Sequence, residues 1–176
     1  MQAPATSPVI LVGTWNDGLF AITGEHQQQE LAGHAVRSLT DSPNGSTLAI
    51  IDGHELRRRA RGGTWTTLAT SEQDLACCLA LGEQIYLGTD DARLLRLAPD
   101  RTLTPLRSFD AVDGRSTWYA GSAIVDGQRM GPPLGIRSLS GSASGATLLV
   151  NVHVGGIPRS TDGGATWHPT IDIEAD

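Results

Sequence analysis

Aromatic residues and cysteines are scarce in this chain of 176 residues. Aromatics make up 5% of the sequence, and only two cysteines occur. The cysteines are adjacent, Cys77 and Cys78, so on a strand they would point to opposite faces, which is poor geometry for a mutual disulfide. A lone cysteine pair also supplies too few ligands for a metal site. We therefore expect two reduced core residues and a cytoplasmic protein.

Net positive charge and long apolar runs are also missing. The formal net charge is -6, which gives no electrostatic basis for binding nucleic acid or an anionic membrane. No apolar stretch approaches the length of a membrane span, and the first eight residues lack the pattern of a signal peptide. No phosphate-binding loop or metal-ligand spacing occurs. We expect no nucleic-acid partner, no membrane partner, no metal and no cofactor.

Glycine, with 21 residues, and short apolar runs are abundant. Four of the runs resemble one another and recur about every 38 residues, with one longer gap that an insertion explains. They are Val9–Gly13, Thr47–Ile51, Gln84–Gly88 and Thr147–Asn151.

Each of these runs has similar neighbours. A short strand precedes three of them, and a third and a fourth strand follow, which is typical of a β-propeller blade. We predict an all-β fold, an open or half propeller of four-stranded antiparallel blades, with about four blades present and the first incomplete. A β-sandwich with coincidental spacing is the alternative. The predicted parts are blade one 8–33, blade two 34–70, blade three 74–110, an insertion 111–134 and blade four 135–171.

The stretch Ser160–Trp167, which reads STDGGATW, resembles the Asp-box, or BNR repeat, of the sialidase-like and Vps10-like propellers. The pattern Ser/Thr-x-Asp-x-Gly-x-Thr-Trp is fully met, and the other blades carry only degenerate versions. The family places this box on the outer edge, between the third and fourth strands. The resemblance therefore implies an architectural role for Ser160, Asp162, Gly164, Thr166 and Trp167.

The predicted propeller has open ends. No inner strand precedes Val9, and the last residues, Ile171–Asp176, look like the approach to another blade. Members of the family usually have six or more blades, so the resemblance implies the N-terminal half of a longer propeller or a half that pairs with its copy. A closed four-blade ring is a further alternative. Open sheet faces and edges predict self-association.

The rim of the central channel is the predicted binding site, for an anion, a carbohydrate or a protein ligand. Arg37 and Arg137 occupy matching positions in Val-Arg-Ser-Leu and Ile-Arg-Ser-Leu, and their guanidinium groups suit a carboxylate. Both arginines are expected to be free if no acid lies within about 4 Å, and otherwise to pair with rim acids. The remaining predicted ligand-binding residues are Trp15, His54, His153 and, from the insertion, Trp118.

A non-enzymatic binding or scaffold propeller is the preferred interpretation. The alternative is a glycoside hydrolase of sialidase-like ancestry, for which Asp52 and Asp90 are the carboxylate pair to nominate. The Phe/Tyr-Arg-Ile-Pro motif of sialidase-like enzymes does not occur, because Gly156–Arg159 has the wrong order. No nucleophile elbow occurs either. The sequence therefore assigns no catalytic residue.

Overall fold

The computed structural model describes residues 8–115, 118, 124–125, 128–129, 135–153 and 155–170, with 124–125 and 128–129 as backbone only. Short strands dominate the described residues, and the single helix has four residues. The elements of the first two sheets are β1 (Ile10–Gly13), β2 (Leu19–Thr23), β3 (His26–Glu30), β4 (Val36–Asp41), β5 (Thr47–Ile51), β6 (Glu55–Arg59) and β7 (Trp65–Thr70). The later elements are β8 (Leu75–Leu81), β9 (Gln84–Thr89), β10 (Leu94–Leu97), β11 (Leu103–Pro105), α1 (Arg107–Asp110), β12 (Ile124–Val125), β13 (Gln128–Arg129), β14 (Ile136–Gly141), β15 (Leu148–Val152) and β16 (Arg159–Ser160).

Each main sheet is an antiparallel meander, in which sequential strands are neighbours. Blade one is β1-β2-β3, blade two is β4-β5-β6-β7, blade three is β11-β10-β9-β8, and blade four is β14-β15-β16. Among the described residues, blade one has no counterpart of the inner strand that β4, β8 and β14 provide in the other blades. The predicted fold class, an open propeller of antiparallel blades with an incomplete first blade, is confirmed.

The outer part of blade four differs from the sequence-based expectation. A third strand is expected over Gly156–Ser160, but β16 is only two residues long. The expected fourth strand is reduced to an isolated bridge between Arg159 and His168. Pro158 and Pro169 flank these short pairings, and proline cannot donate to a strand ladder. The expected insertion lies mostly outside the described residues, which include only 111–115, 118 and the paired strands β12 and β13.

Three hydrophobic clusters fill the spaces between neighbouring blades, because strand residues point alternately to the two faces of a sheet. The cluster between blades one and two is Leu19, Ala21, Val36, Ala49 and Ile51. The cluster between blades two and three includes Leu48, Ile50, Leu56, Leu75, Cys78 and Leu87. The cluster between blades three and four includes Cys77, Tyr86, Leu94, Phe109, Ile136, Val150 and Trp167.

The two cysteines follow this alternation. Cys77 packs toward blade four and Cys78 toward blade two, and both thiols are free and buried. Burial raises the pKa of each thiol to about 12. The predicted opposite orientation of the two side chains is therefore what the structure shows.

Close approach between blades fixes the beginning of each inner strand. A Cβ atom at Gly13 would lie 2.7 Å from Val36 Cγ1, and one at Gly88 would lie 2.5 Å from Ile136 Cγ2. Glycine is therefore required at these two boundaries, whereas the equivalent position of blade two is Ile50, which packs in the cluster with Leu75. No helix in the described part of the chain is long and apolar enough to cross a bilayer.

Candidate functional site on the channel rim

Four predicted site residues occupy one repeated position in the loop that follows the second strand of each blade, directly after the strand in three blades and one residue later in blade one. The backbone N–H of this residue donates to the carbonyl that precedes the inner strand in three blades, at 2.9 Å each time. This bond ties the loop of each blade to its own inner strand, so the loops form a regular rim. The four residues are Trp15, Asp52, Asp90 and His153.

A β-bulge recurs at the start of every inner strand and creates a second repeated position. Val36 opposes Ile51 and Ser38 opposes Ile50, so Arg37 has no partner across the ladder. The same irregularity leaves Ala76 and Arg137 unpaired in blades three and four. A bulge redirects the side chain of its extra residue, and bulges are frequent at binding sites.

Arg37 is held by acids of the next blade and by an aromatic ring of the preceding one. Its Nη1 atom lies 3.4 Å from Asp74 Oδ1 and 3.8 Å from Asp90 Oδ2. Its guanidinium carbon stands 5.7 Å from the ring centre of Trp15. Arg37 is therefore paired with rim acids through Nη1, which is the second of the two expectations from the sequence, and its buried Nε has no hydrogen-bond partner.

Arg137 has a different environment although its position is equivalent. Its side chain is exposed, and among the described residues no carboxylate forms an ion pair with it. A Cβ built on Gly135 would lie 3.5 Å from the Arg137 guanidinium carbon and 3.2 Å from Asp90 Oδ1. The Asp90 carboxylate thus separates the paired Arg37 from an arginine whose donors face solvent.

The carboxylate of Asp52 is hydrogen-bonded to residues of its own blade. Oδ1 accepts a hydrogen bond from the Ala35 N–H at 2.8 Å, and Oδ2 lies 2.6 Å from Nδ1 of His34. The bond to His34 is the main reason why the pKa of Asp52 is lowered, and the Ala35 N–H adds to it. A general acid of a glycosidase needs a raised pKa, so this environment is the opposite of the one that the hydrolase alternative requires of such a residue.

The predicted histidines lie on the same rim, but they are not equivalent. Nε2 of His54 is 3.6 Å from Asp74 Oδ1, and Nδ1 is 3.2 Å from the Ser71 carbonyl, which links it to the Arg37 cluster. His153 is exposed beside the start of β14. Within the described residues, no group of three His, Cys, Asp or Glu side chains is placed to hold a metal ion.

The structure does not bring Trp118 to the open rim. Its side chain is only 7% exposed and packs in the cluster between blades three and four, with its ring centre 5.7 Å from that of Phe109. The Arg115 guanidinium lies 5.1 Å from the Trp118 ring centre. By contrast, Trp15 is 68% exposed and offers a free ring face.

Asp74 is the rim residue that sequence reasoning missed. It stands directly before β8, at the position of Ala35 and Gly135 in the neighbouring blades, and it contacts both Arg37 and His54. The repeat in the sequence shows that Asp74 precedes an inner strand. It does not show the partners of Asp74, because Arg37 and His54 belong to another blade.

The Ser160–Trp167 turn lies away from the rim and is held by its own side chains. Asp162 accepts hydrogen bonds from the N–H and the hydroxyl of Thr166, at 2.9 and 2.6 Å. The Ser160 hydroxyl donates to Asp162 at 2.7 Å and accepts from the Gly164 N–H at 2.8 Å. Gly164 has a φ of 91°, which glycine adopts without strain, and Trp167 is 6% exposed.

Solved structures similar to this chain share its propeller architecture. One is described as YCF48 bound to D1 peptide, with a TM-score of 0.61 and 15% identity over 99% of this chain and 57% of that chain. Another is YCF48 from Cyanidioschyzon merolae, with a TM-score of 0.58 and 13% identity over 95% of this chain and 58% of that chain. The chain thus spans less than two thirds of their length, and at this identity the likeness shows the fold. No protein-family model matches the chain, and neither does any curated protein.

Proposed function

We propose that this chain is a non-enzymatic binding module that holds an extended, carboxylate-bearing segment of another protein on its channel rim. One observation carries the proposal: Arg137 is a solvent-facing arginine, without an ion pair among the described residues, beside an equivalent arginine that is already neutralised. Its donors are therefore free for a ligand, whereas Nη1 of Arg37 is engaged by Asp74 and lies near Asp90. Trp15, at 68% exposure, adds an apolar face for stacking.

A protein ligand is favoured over a sugar by the pattern of charge on the rim. The rim carries three acids, Asp52, Asp74 and Asp90, beside two arginines, which suits an extended chain with both polar and charged groups better than a single anion. The related fold of YCF48 has been solved with a peptide bound, which supports the same class of ligand for this chain. Glycoside hydrolysis is less well supported because Asp52 is committed to His34 and Ala35.

Two further assignments belong to this proposal. We assign the Ser160–Trp167 turn to the Asp-box type, with an architectural role, because its side chains satisfy one another and leave no group for a ligand. We place the protein in a reducing, cytoplasmic compartment, in accord with two unpaired buried cysteines.

The test is calorimetric titration of the 176-residue chain with an acidic peptide that has a free C-terminal carboxylate and with the same peptide amidated. We expect the free acid to bind more tightly, binding to weaken with salt, and Arg137→Ala to raise the Kd by about tenfold or more. Arg101→Ala, an exposed arginine in the turn between β10 and β11, is the matched control and should leave the Kd unchanged. Equal losses in both variants, or hydrolysis of fluorogenic glycosides, would contradict the proposal.

A further inference from the structure

Every boundary between neighbouring blades is built from the same strand positions. The second strand of one blade presents residues forward, such as Leu48 and Ile50 of β5, and both are completely buried. The second strand of the following blade presents residues backward, such as Ile85 and Leu87 of β9, which are 8% and 0% exposed. We call these two surfaces the forward face and the backward face of a blade.

The backward face of blade one is apolar and exposed. The equivalence of Gly13 and Gly88 aligns Ile10 with Ile85 and Val12 with Leu87, yet Ile10 is 59% and Val12 is 42% exposed. The face continues across the sheet onto β2, where Ile10 pairs with Ile22 and Val12 with Phe20.

The forward face of blade four is its counterpart at the other end of the chain. Ile136 opposes Val152 as Val36 opposes Ile51, which aligns Leu149 of β15 with the buried Leu48. The same register aligns Ile157 with Leu56, but Leu56 is completely buried and Ile157 is 43% exposed. The exposed Asn151 stands at the position of the buried Ile50, so this face combines apolar residues with a polar one. The described residues therefore leave two unlike faces uncovered, each of the type that covers the other at the internal boundaries.

We infer that two copies of this chain close into one ring, with the forward face of blade four in each copy packed against the backward face of blade one in the other. A second copy supplies both missing surfaces at once and covers the exposed Ile10, Val12 and Ile157 together. Such a two-fold assembly has two identical head-to-tail contacts and gives a ring of about eight blades, within the range of known propellers. Contact between two blade-one faces would instead leave Ile157 in solvent.

Ring closure also completes the rim. Asp90 lies between the Arg37 of the preceding blade and the Arg137 region of the next, as its contacts with Arg37 and Gly135 show. Trp15 holds the equivalent position in blade one and contacts only the following arginine. In the closed ring, Trp15 of one copy lies next to Arg137 of the other.

The test is sedimentation velocity of the full 176-residue chain over a hundredfold concentration range, with one acidic substitution on each face. We expect wild type to form a dimer, and Val12→Asp and Ile157→Asp each to raise the dimer Kd at least about tenfold, because a carboxylate would be buried without a partner. Both positions are solvent-exposed in the single chain, so the variants should fold, which circular dichroism checks. Thr66→Asp on exposed β7 is the matched control and should dimerise like wild type.

Mixing the two variants gives the decisive result. A heterodimer of Val12→Asp with Ile157→Asp keeps one wild-type contact, whereas each variant alone has a carboxylate in both contacts. Where one carboxylate is enough to break a contact, the mixture should therefore associate more tightly than either variant alone. A strict monomer at every wild-type concentration would overturn the inference. So would a dimer that Ile157→Asp leaves intact, because its contact would not use the forward face of blade four.

Discussion

At the scale of single residues, Asp162 shows how one carboxylate holds a turn. It accepts bonds from the Thr166 N–H and hydroxyl and from the Ser160 hydroxyl. We expect Asp162→Ala to lower the melting temperature by roughly 3–8 °C, since these donors lose their acceptor. Asp162→Asn should lower it less, because an amide oxygen still accepts. Peptide affinity of the folded variants, measured by calorimetry, should stay unchanged, and a loss of binding at full stability would contradict the architectural role.

The same carboxylate makes stability depend on pH. The hydrogen bonds of Thr166, then the Ser160 hydroxyl, lower the pKa of Asp162 well below its ordinary value in the folded state. Its stabilising contribution is therefore complete above the ordinary aspartate pKa and is lost as the pH falls through the lowered value. Thermal melts of wild type and Asp162→Asn should converge at acidic pH, and a gap that persists there would contradict this account.

The cysteines give a second test at this scale. Burial raises the pKa of both thiols to about 12, so neither Cys77 nor Cys78 carries thiolate near neutral pH. We expect a chromogenic disulfide reagent to react with both at least about a hundredfold more slowly in the native protein than in denaturant. The denatured sample, in which two thiols should titrate, is the control. Fast native labelling would show that the blade boundaries open readily.

At the scale of elements, a buried ion pair joins blade one to blade two. Both Glu30 oxygens, at the end of β3, accept bonds from Arg59 of β6 at 2.6 and 2.8 Å, and the Trp65 indole N–H donates to Glu30 at 2.7 Å. The Glu30 side chain is 7% exposed. We expect Glu30→Ala to cost about 3 kcal/mol in urea unfolding, because a buried arginine loses its partner, and Glu30→Gln to cost less. Glu25→Ala, in the exposed turn before β3, is the control, and equal effects would contradict the pairing.

The pairing with Arg59 also lowers the pKa of Glu30. The stabilisation from this pair is present above the ordinary glutamate pKa and is lost as the pH falls through the lowered one. As the pH falls through the lowered pKa of Glu30, the free energy of unfolding of the wild-type protein should therefore decrease. Glu30→Gln has no carboxylate at this position, so its free energy of unfolding should not show this decrease.

The elements were largely predictable because the alternation of apolar residues and the repeat spacing are local signals. The order of strands, the antiparallel pairing and the missing inner strand of blade one all follow from them. The bulge at Arg37 was not predictable, because it appears only when the inner strand is laid against β5 and one residue has no partner. The helix α1 lies at the end of the region predicted as blade three, just before the predicted insertion, and it was not predicted from the sequence.

At the scale of the whole molecule, the candidate site was predictable only in part. The matching motifs identified Arg37 and Arg137 as equivalent, but not that acids of blade three neutralise only the first of them. Likewise, nothing in the sequence around Trp118 distinguishes a core tryptophan from a rim one, because its burial depends on Phe109 and on the neighbouring blade. Contacts between blades decide both outcomes, and a repeat pattern describes one blade at a time.

The open propeller predicts a gradient of stability along the chain. Strands β5 and β9 lie in four-stranded sheets covered on both faces, whereas β1 has exposed residues on both of its faces and no strand pairs with its inner edge among the described residues. Repeat folds open locally from uncovered ends, so amides of β1 should exchange roughly a hundredfold faster than those of β5 and β9 in dilute protein. Hydrogen exchange read by mass spectrometry measures this directly. If a second copy covers β1, raising the protein concentration should slow amide exchange in β1 alone. Equal protection of β1, β5 and β9 in dilute solution would show instead that the chain unfolds as one cooperative unit.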